Sequence, residues 1–141
     1  MNPPHAKGKH LLKFYLTYRV EVEGYISFDW EREYICISNG DIWFKLLGKW
    51  VKRPIREIER VIHSEGSIHR VIIKIRSMEN SKYPINLILS APKELLGHFF
   101  KSLSKKYENK GILGEDERRY DNPFKEMIKI SLPLYLPRNP L

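Results

Sequence analysis

Histidines, a cysteine and carboxylates are the groups in this 141-residue chain whose types could do chemistry, so their spacing comes first. His5, His10, His63, His69 and His98 never fall in the close pairs that converge on a metal. His63 and His69 flank a predicted turn and could face each other; otherwise the histidines read as surface residues. Cys36 stands alone, so no internal disulfide forms, and it reads as a small packed strand residue. Glu31, Glu33, Glu57 and Glu59 read as solvated charge. Glycines punctuate turns and form no phosphate-binding loop. The expectation is no metal, no cofactor and no catalytic activity.

What remains is a basic, aromatic stretch. Lys49, Trp50, Lys52, Arg53, Arg56 and Arg60 lie close in sequence. Arg70, Lys74 and Arg76 share one face of a later predicted strand, and Lys101, Lys105, Lys106 and Lys110 crowd a predicted helix end. That last group has a structural explanation, because positive charge is favourable at a helix C-terminus. The first group has none. Trp50 either closes one end of the core or stands beside the arginines, where it would stack on a base or grip a partner. The net charge of +8 attracts nucleic acid, anionic lipid or acidic protein, though it also serves solubility.

These residues need elements to carry them. Leu12, Phe14, Leu16, Tyr18, Val20 and Val22 alternate with polar neighbours, which predicts a long half-buried strand. Ile26, Phe28 and Trp30 are expected on one face of the next strand, and Ile35 and Ile37 on one face of another. Asn39-Gly40 predicts a type I′ hairpin joining that strand to Asp41–Leu47. Gly48 opens another turn into a short strand at Trp50-Val51, with Pro54 at an edge. Ile55, Ile58 and Val61 fit either a helical turn leading into a strand or a bulged strand. Turns are expected at Ser64–Ser67 and Met78–Lys82, around strands at Val71–Ile75 and Ile85–Leu89.

After Ser90 the period changes. Leu95, Leu96, Phe99, Phe100, Leu103 and Tyr107 recur at helical spacing, with Lys93, Gly97, Lys101, Ser104 and Glu108 opposite. Asn122-Pro123 reads as a cap and first turn before Phe124, Met127 and Ile128, and a proline-rich tail follows. The expected fold is mainly β (α+β): an antiparallel bent sandwich or partly open barrel of about seven strands, capped by one C-terminal amphipathic helix. Residues 1–10 read as a flexible arm, 11–111 as the domain, and 112–141 as charged linker, short helix and tail. No apolar run approaches the roughly 20 residues of a membrane helix, and residues 1–10 lack an apolar signal segment. A cytoplasmic protein without integral membrane association is expected. The Lys-, Glu- and Ile-rich composition resembles that of thermophile proteins.

A meander, a second set of strands and one terminal helix together resemble the pleckstrin-homology-like superfold, over about residues 12–110. Within it, Trp50, Pro54, Ile55, Ile58 and Val61 resemble a connection found in the archaeal chemotaxis adaptor family CheF. That resemblance implies a protein adaptor in archaeal taxis signalling. The expected function is therefore a non-catalytic interaction domain contacting an unidentified protein through Trp50, Lys52, Arg53, Arg56 and Arg60, with the Phe124–Leu141 tail as a second arm. The alternative is a small β-barrel that binds nucleic acid through its basic-aromatic surface. Homodimerisation is left open.

Overall fold

The computed structural model describes residues 11–64, 70–76, 84–109, 122–125 and 127–128. Among these, the chain builds β1 (Leu11–Val22), β2 (Ile26–Ser27), β3 (Glu31–Ser38), β4 (Asp41–Leu46) and β5 (Lys49–Pro54). A 3-10 turn (Ile55–Glu57) leads into β6 (Ile58–Ser64), β7 (Arg70–Ile75), β8 (Ile85–Ser90) and the helix α1 (Lys93–Asn109). The strands form one antiparallel sheet in the order β5-β4-β3-β1-β8-β7-β6, with β2 added to β1. The sheet does not close on itself: β5 and β6 are its edges. The expected mainly β sandwich or open barrel with a terminal helix is what the chain adopts.

β1 is the shared strand. Its first part, Leu11 to Tyr18, pairs with β3, and its second part, Thr17 to Val22, pairs with β8. One uninterrupted period-two pattern therefore supplies Leu16, Tyr18 and Val20 to the core from both walls of the curled sheet. Ile35, Ile37, Ile42, Phe44, Val71, Ile73, Ile75, Leu87 and Leu89 complete that inner surface. Helix α1 presses Leu96, Phe99, Phe100 and Leu103 onto it, all buried. Burial of such a side chain is worth roughly 1.5–3 kcal/mol, so the helix is held by its stripe.

Local chemistry sets the turns. Asn39 and Gly40 have φ of 52° and 82°, as the type I′ hairpin between β3 and β4 requires. The β4–β5 turn uses Leu47 and Gly48, at φ 54° and 77°. Leucine there is strained, because its Cβ crowds the backbone in the left-handed region. Pro54 ends the edge strand β5 opposite Asp41, where no ladder donor is needed. Both readings of Ile55–Val61 hold: a 3-10 turn precedes β6, and the β6–β7 register shifts between Ile58 and Arg60.

Two expectations are corrected. Ile26, Phe28 and Trp30 do not share a strand face. Regular pairing covers only Ile26–Ser27, Phe28 turns toward the core, and Trp30 stays outside between two arginines. Gly97 and Ser104 are not on a solvated helix face either; both are buried. The Ser104 hydroxyl accepts a 2.8 Å hydrogen bond from Asn122 Nδ2, which brings Phe124, Met127 and Ile128 against the core. Phe124 stacks on Phe100 at 6.2 Å and meets Tyr107 edge-on at 5.7 Å. Met127 is buried with it. Phe124 and Met127 are thus core residues, not part of a free second arm. The arm at 1–10, both expected turns beyond Ser64, and the tail beyond Ile128 lie outside the described residues, as does His69.

Candidate functional site

The strand register places the outward side chains in rows across β1, β3, β4 and β5. Lys13 stands opposite Cys36, which stands opposite Trp43, which stands opposite Lys52. Tyr15 is opposite Tyr34, Thr17 opposite Arg32, and Lys45 opposite Trp50. Cations and aromatic rings therefore interleave over the whole outer face of this half of the sheet. Lys13 lies 5.6 Å from the Tyr34 ring centre and Arg32 5.6 Å from that of Tyr15. Lys45 lies 5.2 Å from Trp50, and Lys52 5.5 Å from Trp43. The Tyr15 and Tyr34 rings are 5.0 Å apart and tilted by 56°.

These rings are not core. Tyr15 is 48% exposed and Tyr34 43% exposed, while Trp43 and Trp50 are half-buried. The Trp43 indole Nε1 makes no hydrogen bond among the described residues. Lys13, Arg32 and Lys52 form no ion pair among the described residues; Lys45 has Glu33 at 3.6 Å. Among the described residues, Asp41 beside the β3–β4 turn and Glu33 beside Lys45 are the acids that reach this face. Such a surface is cationic, ring-bearing and about 15 Å across, given strand spacings near 4.8 Å.

The inner side explains why the face keeps its shape. β3 and β4 pair only over Cys36–Ser38 and Asp41–Trp43. Beyond that, the Tyr18 hydroxyl accepts from the Lys45 backbone N–H at 2.8 Å, replacing the missing ladder partner. Burial pushes the Tyr18 phenol well above its ordinary range. Cys36 sits at an outward position but is buried, and that burial also raises its thiol, which argues against a reactive nucleophile.

The residues singled out in the sequence are only partly brought together. Trp50 and Lys52 lie on the cationic-aromatic face, and Trp50 does not close the core. Arg56 is exposed on the 3-10 turn, and Arg60 is exposed on β6 at the other edge of the sheet. Arg53 is 2% exposed and presents no charge to a partner. It shares the inward side of β5 with Val51, an alternation that could have been read from the sequence. Its Nη2 donates to Glu57 and, at 2.8 Å, to the Arg76 carbonyl, tying β5 to the 3-10 turn and the end of β7. Its Nε and Nη1 have no partner among the described residues.

Neither protein-family models nor curated proteins match this chain. Its functional reading rests on the surface itself. Lys13, Tyr15, Arg32, Tyr34, Trp43 and Lys45 join Trp50 and Lys52 there. Only the register across four strands reveals them as a group, although Lys13 and Tyr15 are among the residues that alternate with the apolar row of β1. Among the described residues, no group of three or more His, Cys, Asp or Glu side chains is placed to hold a metal, and no helix is long and apolar enough to cross a membrane.

Proposed function

We propose that this protein is a non-catalytic binding module whose outer β1-β3-β4-β5 face takes single-stranded nucleic acid. One observation carries the reading: four aromatic rings interleave with cations on one exposed sheet face. Aromatic side chains stack bases without regard to sequence, and the cations between them neutralise backbone phosphates. An open antiparallel sheet offers its outer face to a flexible strand, whereas a duplex would present only phosphates to it. A reducing, cytoplasmic setting for the lone thiol is part of this proposal.

Anisotropy titration of the full chain with labelled oligothymidylate, at several salt concentrations, tests it. Affinity is expected to fall as salt rises, because bound counterions are released. Tyr34→Ala with Trp43→Ala should weaken binding by about 1–3 kcal/mol for each lost stack. No binding at low salt ends the proposal.

A second reading is a protein adaptor on a pleckstrin-homology-like scaffold. It is supported by the three-strand second set β6–β8 and the helix that fills the core behind the meander. Exposed Lys52, Arg56 and Arg60 would then meet an acidic partner. Fold alone does not select a function, so this reading rests on capture experiments. A Lys52→Glu/Arg56→Glu variant that captures every partner of the native chain would remove it.

A further inference from the structure

Trp30 carries a second cationic cluster, beyond the rows just described. The guanidinium carbons of Arg19 and Arg70 each lie 5.2 Å from the centre of its ring. Arg19 extends the outward row of β1 that begins with Lys13, Tyr15 and Thr17. Arg70 reaches the same place from β7, since Thr17 is opposite Ser90 and Ser90 is opposite Arg70. The register thus sets the two arginines beside two hydroxyl-bearing residues, Thr17 and Ser90, and both arginines reach the Trp30 ring.

Among the described residues, no acid compensates this charge. Neither arginine forms an ion pair among the described residues, and the Nε of each is buried without a hydrogen-bond partner. Glu21, the next outward residue of β1, accepts instead from Asn86 at 3.1 Å. Glu23 is engaged by Lys74 at 3.1 Å. Asp29 and Glu31, which flank Trp30 in the chain, pair with neither guanidinium. A ring between two cations eases their repulsion but does not neutralise them, whereas a tetrahedral oxyanion would do so and accept from both planar forks.

We propose that Arg19 and Arg70 hold one backbone phosphate of the strand whose bases lie on the adjoining aromatic face, with the Thr17 and Ser90 hydroxyls as further donors. This rests on the single-strand reading above. It extends the interface along β1 from the first half of the sheet onto the second and gives the strand a fixed point of exit beside Trp30.

The test compares the native chain with Arg19→Gln/Arg70→Gln, using labelled oligothymidylate over a salt series. Loss of one phosphate contact makes the slope of log affinity against log salt shallower by about 0.7. Affinity at low salt is expected to drop roughly tenfold. Arg19→Lys/Arg70→Lys keeps the slope, and Tyr15→Ala/Tyr34→Ala weakens binding at unchanged slope. Arg70→Gln alone, which leaves the Arg19–Trp30 contact in place, is the second variant should the double variant fail to fold, and its slope is also shallower. A native slope in a folded glutamine variant overturns the phosphate site while the single-strand reading stands. Absence of binding by the native chain overturns both.

Discussion

The buried arginine gives the sharpest stability prediction. Arg53 lies at the corner where β5 passes into the 3-10 turn, with Glu57 as its sole ion-pair partner among the described residues. Arg53 is 2% exposed and Glu57 33% exposed. Removing the carboxylate charge by Glu57→Gln leaves a buried cation without its counter-charge. Such a loss costs about 3–5 kcal/mol, and solvent at the Glu57 end places the expectation at about 3 kcal/mol. Arg53→Met has the opposite character. It deletes the charge together with the unpartnered Nε and Nη1 groups, and fills similar volume with apolar atoms. Against this stands about 1 kcal/mol for the Arg76 carbonyl that loses its donor. Arg53→Met should therefore match or exceed native stability, by up to about 2 kcal/mol. The double variant should resemble Arg53→Met, because without the cation the glutamine has nothing to betray. Equilibrium urea unfolding at low salt measures all four proteins, urea being chosen because guanidinium would screen the pair. If Glu57→Gln stays within about 0.5 kcal/mol of native, or if Arg53→Met is the less stable single variant, the claim that the guanidinium is under-compensated is wrong.

Other predictions follow from particular contacts. Leu47→Asn should stabilise the β4–β5 hairpin by about 1 kcal/mol, since Leu47 is 72% exposed and strained at positive φ; a melting temperature that fails to rise by roughly 2–4 °C counts against it. Tyr18→Phe should cost about 1–3 kcal/mol, because the Lys45 N–H loses its acceptor. The same variant changes the alkaline limb. The folded phenol titrates above the ordinary 10.0, so between that value and its higher folded value the unfolded chain releases a proton that the native one keeps. Native stability is thus full below pH 10 and falls above it, by up to about 1.4 kcal/mol per pH unit more than in Tyr18→Phe. Parallel stability curves for the two proteins would refute this. Phe124→Ala should cost about 3–5 kcal/mol in urea unfolding, as expected of a core ring packed on Phe100 and Tyr107; a loss under about 1 kcal/mol would mean that Phe124 is not part of the core.

The sequence by itself determined most of the elements and their inner faces, the 26–30 segment and the Gly97 and Ser104 side of α1 excepted. Period-two alternation at Leu16–Val20 and Val71–Ile75, the Asn39-Gly40 turn and the Leu95–Tyr107 stripe are local signals, because burial of one face repeats with the geometry of the backbone. What only the tertiary structure decided is which outward residues become neighbours. Tyr34, Trp43 and Lys52 sit on consecutive hairpin strands, but Lys13 and Tyr15 are far from them in the chain and join them only through the β1–β3 register. Arg19, Trp30 and Arg70 meet because β1 passes from one half of the sheet to the other. Arg53 looked like one more charge in a basic run, yet strand parity turns it into the core while Lys52 stays outside. Phe124 looked like a tail residue until Asn122 docked on Ser104. Charge and ring content are properties of composition; a surface is a property of pairing, and pairing between distant strands leaves no mark on either strand alone.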